Sequence, residues 1–154
     1  VTTGAVVIGV GNRFRHDDAV GPRVVDLLAA SPVGGRARLV ELDGEPSRLV
    51  EAWAGAGVAV VVDAVSSGED PPGTIRRLEL PDLDAVGPGQ GGTHGLGVGT
   101  AAALGRAVGR MPGRLVVLGV EGADFGLGEG ISPEVRRVVG EVARLVAEEV
   151  EADE

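Results

Sequence analysis

Neither cysteine nor lysine occurs anywhere in the 154 residues. Without cysteine there is no disulfide, no thiolate nucleophile and no Cys-based zinc or iron–sulfur site. Without lysine there is no P-loop lysine and no Schiff-base lysine, and all 14 basic residues are arginine. Tyrosine is absent too, and aromatic residues make up only 2% of the chain, too few for a base-stacking platform. Positive charge is the scarcer sign: the net charge is −9, unsuited to phosphate backbones or anionic lipid. Neither nucleic acid nor a membrane is therefore an expected partner. No apolar run reaches the ~18 residues of a membrane span, no signal sequence is read at the start, and a cytoplasmic location is the expectation. Five of the 23 acids (Glu148, Glu149, Glu151, Asp153 and Glu154) crowd the last seven positions. They read as a solvated tail whose removal should change little.

What is present suits one domain spanning residues 1–154, with enough apolar residues for a core. Glycine is plentiful but spread along the chain, and only Gly87–Gly92 reads as a loop by composition. Three near-continuous apolar runs, Ala5–Val10, Val58–Val62 and Leu115–Val120, read as strands of a parallel sheet covered on both faces. Arg38–Leu42 fits an outer strand. Thr74–Leu80 follows too soon for a crossover helix and reads as an antiparallel edge strand. Helical patterns fit Val24–Ala30, Ser47–Ala54 and the Gly/Ala-rich His94–Val108. A last helix opens with Ser132 as N-cap and Pro133 in its first turn. The order β-α-β-α-β-β-α-β-α predicts an α/β fold, a three-layer sandwich with helices on both faces.

Ligands in such sheets sit at the carboxyl ends of the strands, where strand order reverses. The loop after the first strand carries Gly9, Gly11, Asn12, His16, Asp17, Asp18 and Gly21. Phe14 stands where a dinucleotide fingerprint needs its third glycine, although Asp43 could imitate a ribose-binding acid. Asp17 and Asp18 precede a helix, so simple N-capping competes with a functional role. Asp63 follows five apolar residues and needs a partner, hydrogen bonds or a metal. His94 opens the Gly/Ala-rich helix. Asp18, Asp63 and His94 can converge as an O,O,N set suited to Ni²⁺ or Zn²⁺ with coordination positions left open. His16 is the competing imidazole, but Arg13 and Arg15 beside it disfavour a divalent ion. Ser66 and Ser67 lie near Asp63, yet no serine sits in a nucleophile elbow.

Together these motifs resemble the [NiFe]-hydrogenase maturation endopeptidases. The resemblance is carried by Gly9-x-Gly11-Asn12 with Asp17, Asp18 and Gly21, by Asp63 in VVVDAV, and by Thr93-His94-Gly95-Leu96-Gly97. Leu42-Asp43-Gly44 and Leu118-Gly119-Val120-Glu121 add to it, with Ser132-Pro133 at the last helix start. It departs at Glu45, where relatives often have glycine, and at Gly122, where many have proline.

The resemblance implies a twisted, mainly parallel five-stranded sheet with one antiparallel edge strand. It implies an endopeptidase that removes the C-terminal extension of a nickel-loaded large-subunit precursor. Asp18, Asp63 and His94 would be its catalytic and metal-facing residues, and the substrate would supply the nickel. No tightly bound metal is then expected in the isolated protein, which is expected to be a monomer. The alternative is a non-catalytic metal- or nucleotide-binding module on a Rossmann-like sheet.

Overall fold

The computed structural model describes residues 4–79 and 92–153, with only the helical backbone for 92–96. Five strands, β1 (Ala5–Val10), β2 (Ala37–Leu42), β3 (Val58–Val65), β4 (Ile75–Glu79) and β5 (Arg114–Glu121), form one sheet. Its order is β2-β1-β3-β5-β4, with β4 antiparallel at one edge and the other four strands parallel. The helices are α1 (Val20–Ala29), α2 (Pro46–Trp53), α3 (Gly92–Val108), α4 (Pro133–Arg136) and α5 (Val139–Ala152).

Alternation along β3 explains the layers. Val58, Val60, Val62 and Ala64 face a core with Val24 and Leu28 of α1 and Val142 and Val146 of α5. Ala59 and Val61 face the opposite core, with Leu49 and Trp53 of α2 and Val98 and Ala101 of α3. Both faces of the strand are buried, which is why its sequence shows no polar alternation. Gly105 of α3 is closely packed: a Cβ there would stand 2.6 Å from the sulfur of Met111, in the segment that follows the helix. Among the described residues no helix is long and apolar enough to cross a membrane.

The structure corrects several sequence expectations. β3 does not stop before Asp63 but continues to Val65, paired with β5 throughout. The last helix is two helices, Pro133–Arg136 and Val139–Ala152, parted by a turn at Arg137 and Val138. The Gly87–Gly92 loop lies outside the described residues except for Gly92, which opens α3.

The acidic tail is not a solvated appendage. The Glu149 side chain is only 13% exposed. Its carboxylate accepts hydrogen bonds from Arg77 Nε at 2.6 Å and Arg114 Nη2 at 2.8 Å. Val150 is buried in the core, and Arg36 lies 3.5 Å from Glu151. The stripe Val142–Val146–Val150 carries α5 one turn further than its charge suggested, because arginines from distant elements neutralise the acids.

Candidate active site

The chain leaves β1 for β2 on one side and returns to β3 on the other, so strand order reverses between β1 and β3. Val10, the last residue of β1, is level with Asp63, and Asp63 is level with Gly119 of β5. Alternation puts Asp63 on the face covered by α2 and α3. It is only 2% exposed.

Asp18 reaches the same edge because three glycines let the backbone close up. A Cβ on Gly21 would fall within 2.6 Å of Val10 N, Val10 O and Val62 O, so the first turn of α1 lies directly on the β1–β3 seam. A Cβ on Gly9 would stand 2.4 Å from the Gly21 carbonyl oxygen. Gly11 adopts φ +147°, and a Cβ there would overlap the Asp18 carbonyl oxygen at 1.8 Å. Asp18, also 2% exposed, accepts the Asn12 N–H through Oδ2 at 2.8 Å.

N-capping does not account for the acidic pair. Both acids lie in a 3-10 turn, His16–Ala19, and neither that turn nor α1 has a side-chain cap. Asp17 instead reaches the loop between β5 and α4. Its carboxylate accepts from Ala123 N at 2.7 Å, Asp124 N at 3.1 Å, Ser132 N at 2.7 Å and Ser132 Oγ at 2.9 Å. Burial alone would raise its pKa, but the hydrogen bonds from Ser132, Ala123 and Asp124 hold it below the ordinary carboxylate range. Ser132 caps α4 as expected, accepting from Val135 N.

His16 adopts φ 45°, the left-handed region. Its Nδ1 lies 2.9 Å from the Gly130 carbonyl oxygen, so Nδ1 carries the proton and donates. Its own N–H donates to Gly128 O at 3.0 Å. Of the two arginines expected to repel a cation near His16, Arg13 is neutralised, while Arg15 donates only to the Phe125 carbonyl oxygen. Arg13 donates bidentately to Asp26 at 2.7 and 2.8 Å and also reaches Glu41 at 2.7 Å. Those two acids neutralise it and raise its pKa above the ordinary value. The His16 imidazole is thus held by a contact with the loop that ends at α4.

His94 lies in the first turn of α3, and its side chain is outside the described residues. The helix start is nonetheless located. A Cβ on Gly97, one turn on, would stand 2.7 Å from Gly44 O, and one on Gly44 would stand 3.2 Å from Val10 Cγ1. Gly97, Gly44, Val10 and Asp63 thus follow one another across the carboxyl edge. Among the described residues no three His, Cys, Asp or Glu side chains gather closely enough to hold a metal. Asp18 and Asp63 offer carboxylate oxygens, and a nitrogen donor would have to come from elsewhere.

The competing chemistries lose their residues to other tasks. Asp43 accepts the Glu45 N–H at 3.0 Å, and Glu45 in turn caps α2. The Ser67 hydroxyl donates to Glu121 at 2.5 Å. Glu121 is a buried acid at this edge whose structural task the sequence analysis missed. The signal was available, since Glu121 ends an apolar strand much as Asp63 interrupts one.

Residues 22–149 match the hydrogenase maturation protease family, a span that includes Asp63 and His94 and begins after the first loop. The hydrogenase 2 maturation protease of Escherichia coli K12 is 28% identical over 137 residues, covering 87% of this chain and 82% of that protein. The E. coli hydrogenase maturating endopeptidase HybD has a similar structure, with TM-score 0.82 and 24% identity over 97% of this chain and 93% of that one. The [NiFe] hydrogenase maturation protease HybD from Thermococcus kodakarensis gives TM-score 0.77 and 20% identity over 96% and 99% of the two chains. The non-catalytic alternative gives way to these matches. The chain belongs to the hydrogenase maturation protease family and is a hydrolase, an endopeptidase of hydrogenase maturation.

Proposed function

We propose that this endopeptidase removes the C-terminal extension of a [NiFe]-hydrogenase large-subunit precursor once nickel has been inserted. Asp18, Asp63 and His94 are the residues that meet the nickel, which arrives as part of the substrate. The observation that carries this reading is the pair of buried carboxylates, Asp18 and Asp63, brought to one strand edge by different elements. Carboxylates and an imidazole form a donor set suited to a borderline divalent cation. Three such donors leave positions open for ligands that the substrate brings.

In this reading the carboxylates hold the cationic end of the precursor so that the scissile peptide lies against the same edge. Asp18, Asp63 and His94 would hold the nickel-bearing end, and one carboxylate would take up the proton of the attacking water; the metal would supply Lewis-acid polarisation there, or serve only to dock the substrate. The chain acts as one domain and as a monomer in the cytoplasm, on a folded protein partner, without nucleic acid or membrane. The test is to incubate the protein with nickel-loaded and nickel-free precursor and to measure each precursor's mass. Shortening of the loaded form alone is expected. An unshortened loaded precursor would remove this function.

A further inference from the structure

Two loops at the candidate edge are joined into a single strip. Arg15 and Gly128 form an isolated parallel bridge. Gly128 N donates to Phe14 O at 2.8 Å, and His16 N donates to Gly128 O at 3.0 Å. The residues preceding the bridged pair, Phe14 and Leu127, are therefore neighbours in its register. Both are large, apolar and open to water, Phe14 at 61% and Leu127 at 86% exposure. The other exposed large apolar residues among those described, Leu27, Leu104 and Val108, lie on helices away from this bridge.

The strip is rigidly tied to the candidate site. Asn12 Oδ1 accepts the Phe14 N–H at 2.8 Å, while Asn12 N donates to the Asp18 carboxylate at 2.8 Å. One residue thus fixes both the backbone that carries the exposed ring and the buried acid. On the other side, Arg15 Nε donates to Phe125 O at 3.2 Å, and Asp17 holds Ala123, Asp124 and Ser132. Because the backbone is already fixed, a partner covering these apolar side chains need not order the loops as well, which favours their use as anchors.

We infer that Phe14 and Leu127 are specificity residues that grip an apolar hollow on the body of the hydrogenase precursor, beside its metal-bearing end. This rests on the function proposed above. The net charge of −9 favours a cationic end of the partner, and two uncharged side chains add a grip beside the candidate site that does not depend on charge. The carboxylates would read whether nickel is present, and the strip would read which precursor carries it.

The test compares wild type, Phe14→Ser, Leu127→Ser, the double variant and Phe14→Leu on nickel-loaded precursor. It reads KM, kcat, precursor Kd and melting temperature. Each serine variant should raise KM and Kd by about tenfold, as expected for leaving one apolar anchor uncovered. The double variant should exceed either single one, and Phe14→Leu should recover most of the loss. The kcat should stay within about twofold and melting should be unchanged, because both side chains already face water. Unchanged KM and Kd, a fall in kcat alone, or a lowered melting temperature would overturn the strip while leaving the protease function standing. A wild-type protein that neither binds nor shortens the precursor would overturn both.

Discussion

Asp17 and Ser132 are joined by two hydrogen bonds, from the serine N–H at 2.7 Å and from its hydroxyl at 2.9 Å. The pair fastens the loop after β1 to the start of α4. Asp18, the next residue, is thereby held from both sides, by Asn12 within its own loop and by this cross-link.

Asp17→Asn should cost about 2–4 kcal/mol at pH 7, because an amide NH₂ would be set against backbone N–H donors that are buried with it. That corresponds to roughly 5–15 °C in melting temperature for a chain of this size. The pH dependence has a definite sign. The folded pKa lies below the ordinary value of 3.8, so the contribution is complete above about pH 3.8 and disappears as pH falls through the folded value. Thermal melts from pH 7 to pH 3 should show the gap between variant and wild type shrinking at the acid end. A constant gap would mean the charge is immaterial.

Asp63→Asn should abolish precursor processing while the protein stays folded. The substitution keeps the volume and loses the negative charge a cationic substrate needs. Processing should fall by more than about a hundredfold, the scale of losing one electrostatic partner in a reacting site. Melting should shift by no more than a few degrees. A large loss of melting temperature with activity retained would make Asp63 a strand organiser only.

His94→Ala should cost more activity than His16→Ala. The His16 imidazole is engaged with Gly130 in the loop, so its loss should show first in stability, at about 1 kcal/mol for one hydrogen bond. Activity at matched concentration, with circular dichroism on both variants, separates the two. An inactive His16→Ala beside an active His94→Ala would transfer the nitrogen donor to the first loop.

Truncation before Glu148 should destabilise the protein. It removes buried Val150, worth about 1.5–3 kcal/mol, and it leaves Arg77 and Arg114 without Glu149. Glu149→Gln isolates the charge. Hydrogen bonding from Arg77 holds the Glu149 carboxyl below its ordinary 4.5, so its contribution is full above about pH 4.5 and is lost as pH falls through the folded value. Urea unfolding of both variants at pH 7 and pH 4 measures this, and a truncated protein as stable as wild type would return the tail to solvent.

How much the sequence disclosed depends on how local each cause is. The apolar run of β1 marked the strand's exact residues, and Ser132-Pro133 marked the start of α4, since both signals lie within a few positions. The end of β3 was hidden because an aspartate looks like a strand terminator. Pairing of Val65 with Glu121 of β5 overrides that local sign. The role of Asp17 was illegible because its partners lie more than a hundred residues away. The pairing of Arg13 was hidden too, although its partners are only 13 and 28 residues away, because Asp26 and Glu41 meet it only in the folded chain. The tail was a different case. The four-residue spacing of Val142, Val146 and Val150 was in plain view, and the acids between them obscured it.

The glycines over the β1–β3 seam bear on how relatives of this protein are identified. Side chains at positions 9, 11 and 21 would collide with backbone atoms, and backbone cannot step aside as a flexible side chain can. Selection would keep these glycines in any descendant that still folds, including one that has lost Asp18 and Asp63, the acids proposed to meet the substrate. A search keyed to Gly9, Gly11 and Gly21 would therefore gather working enzymes and inert paralogues alike, and the proposed site residues Asp18, Asp63 and His94 would have to sort one from the other.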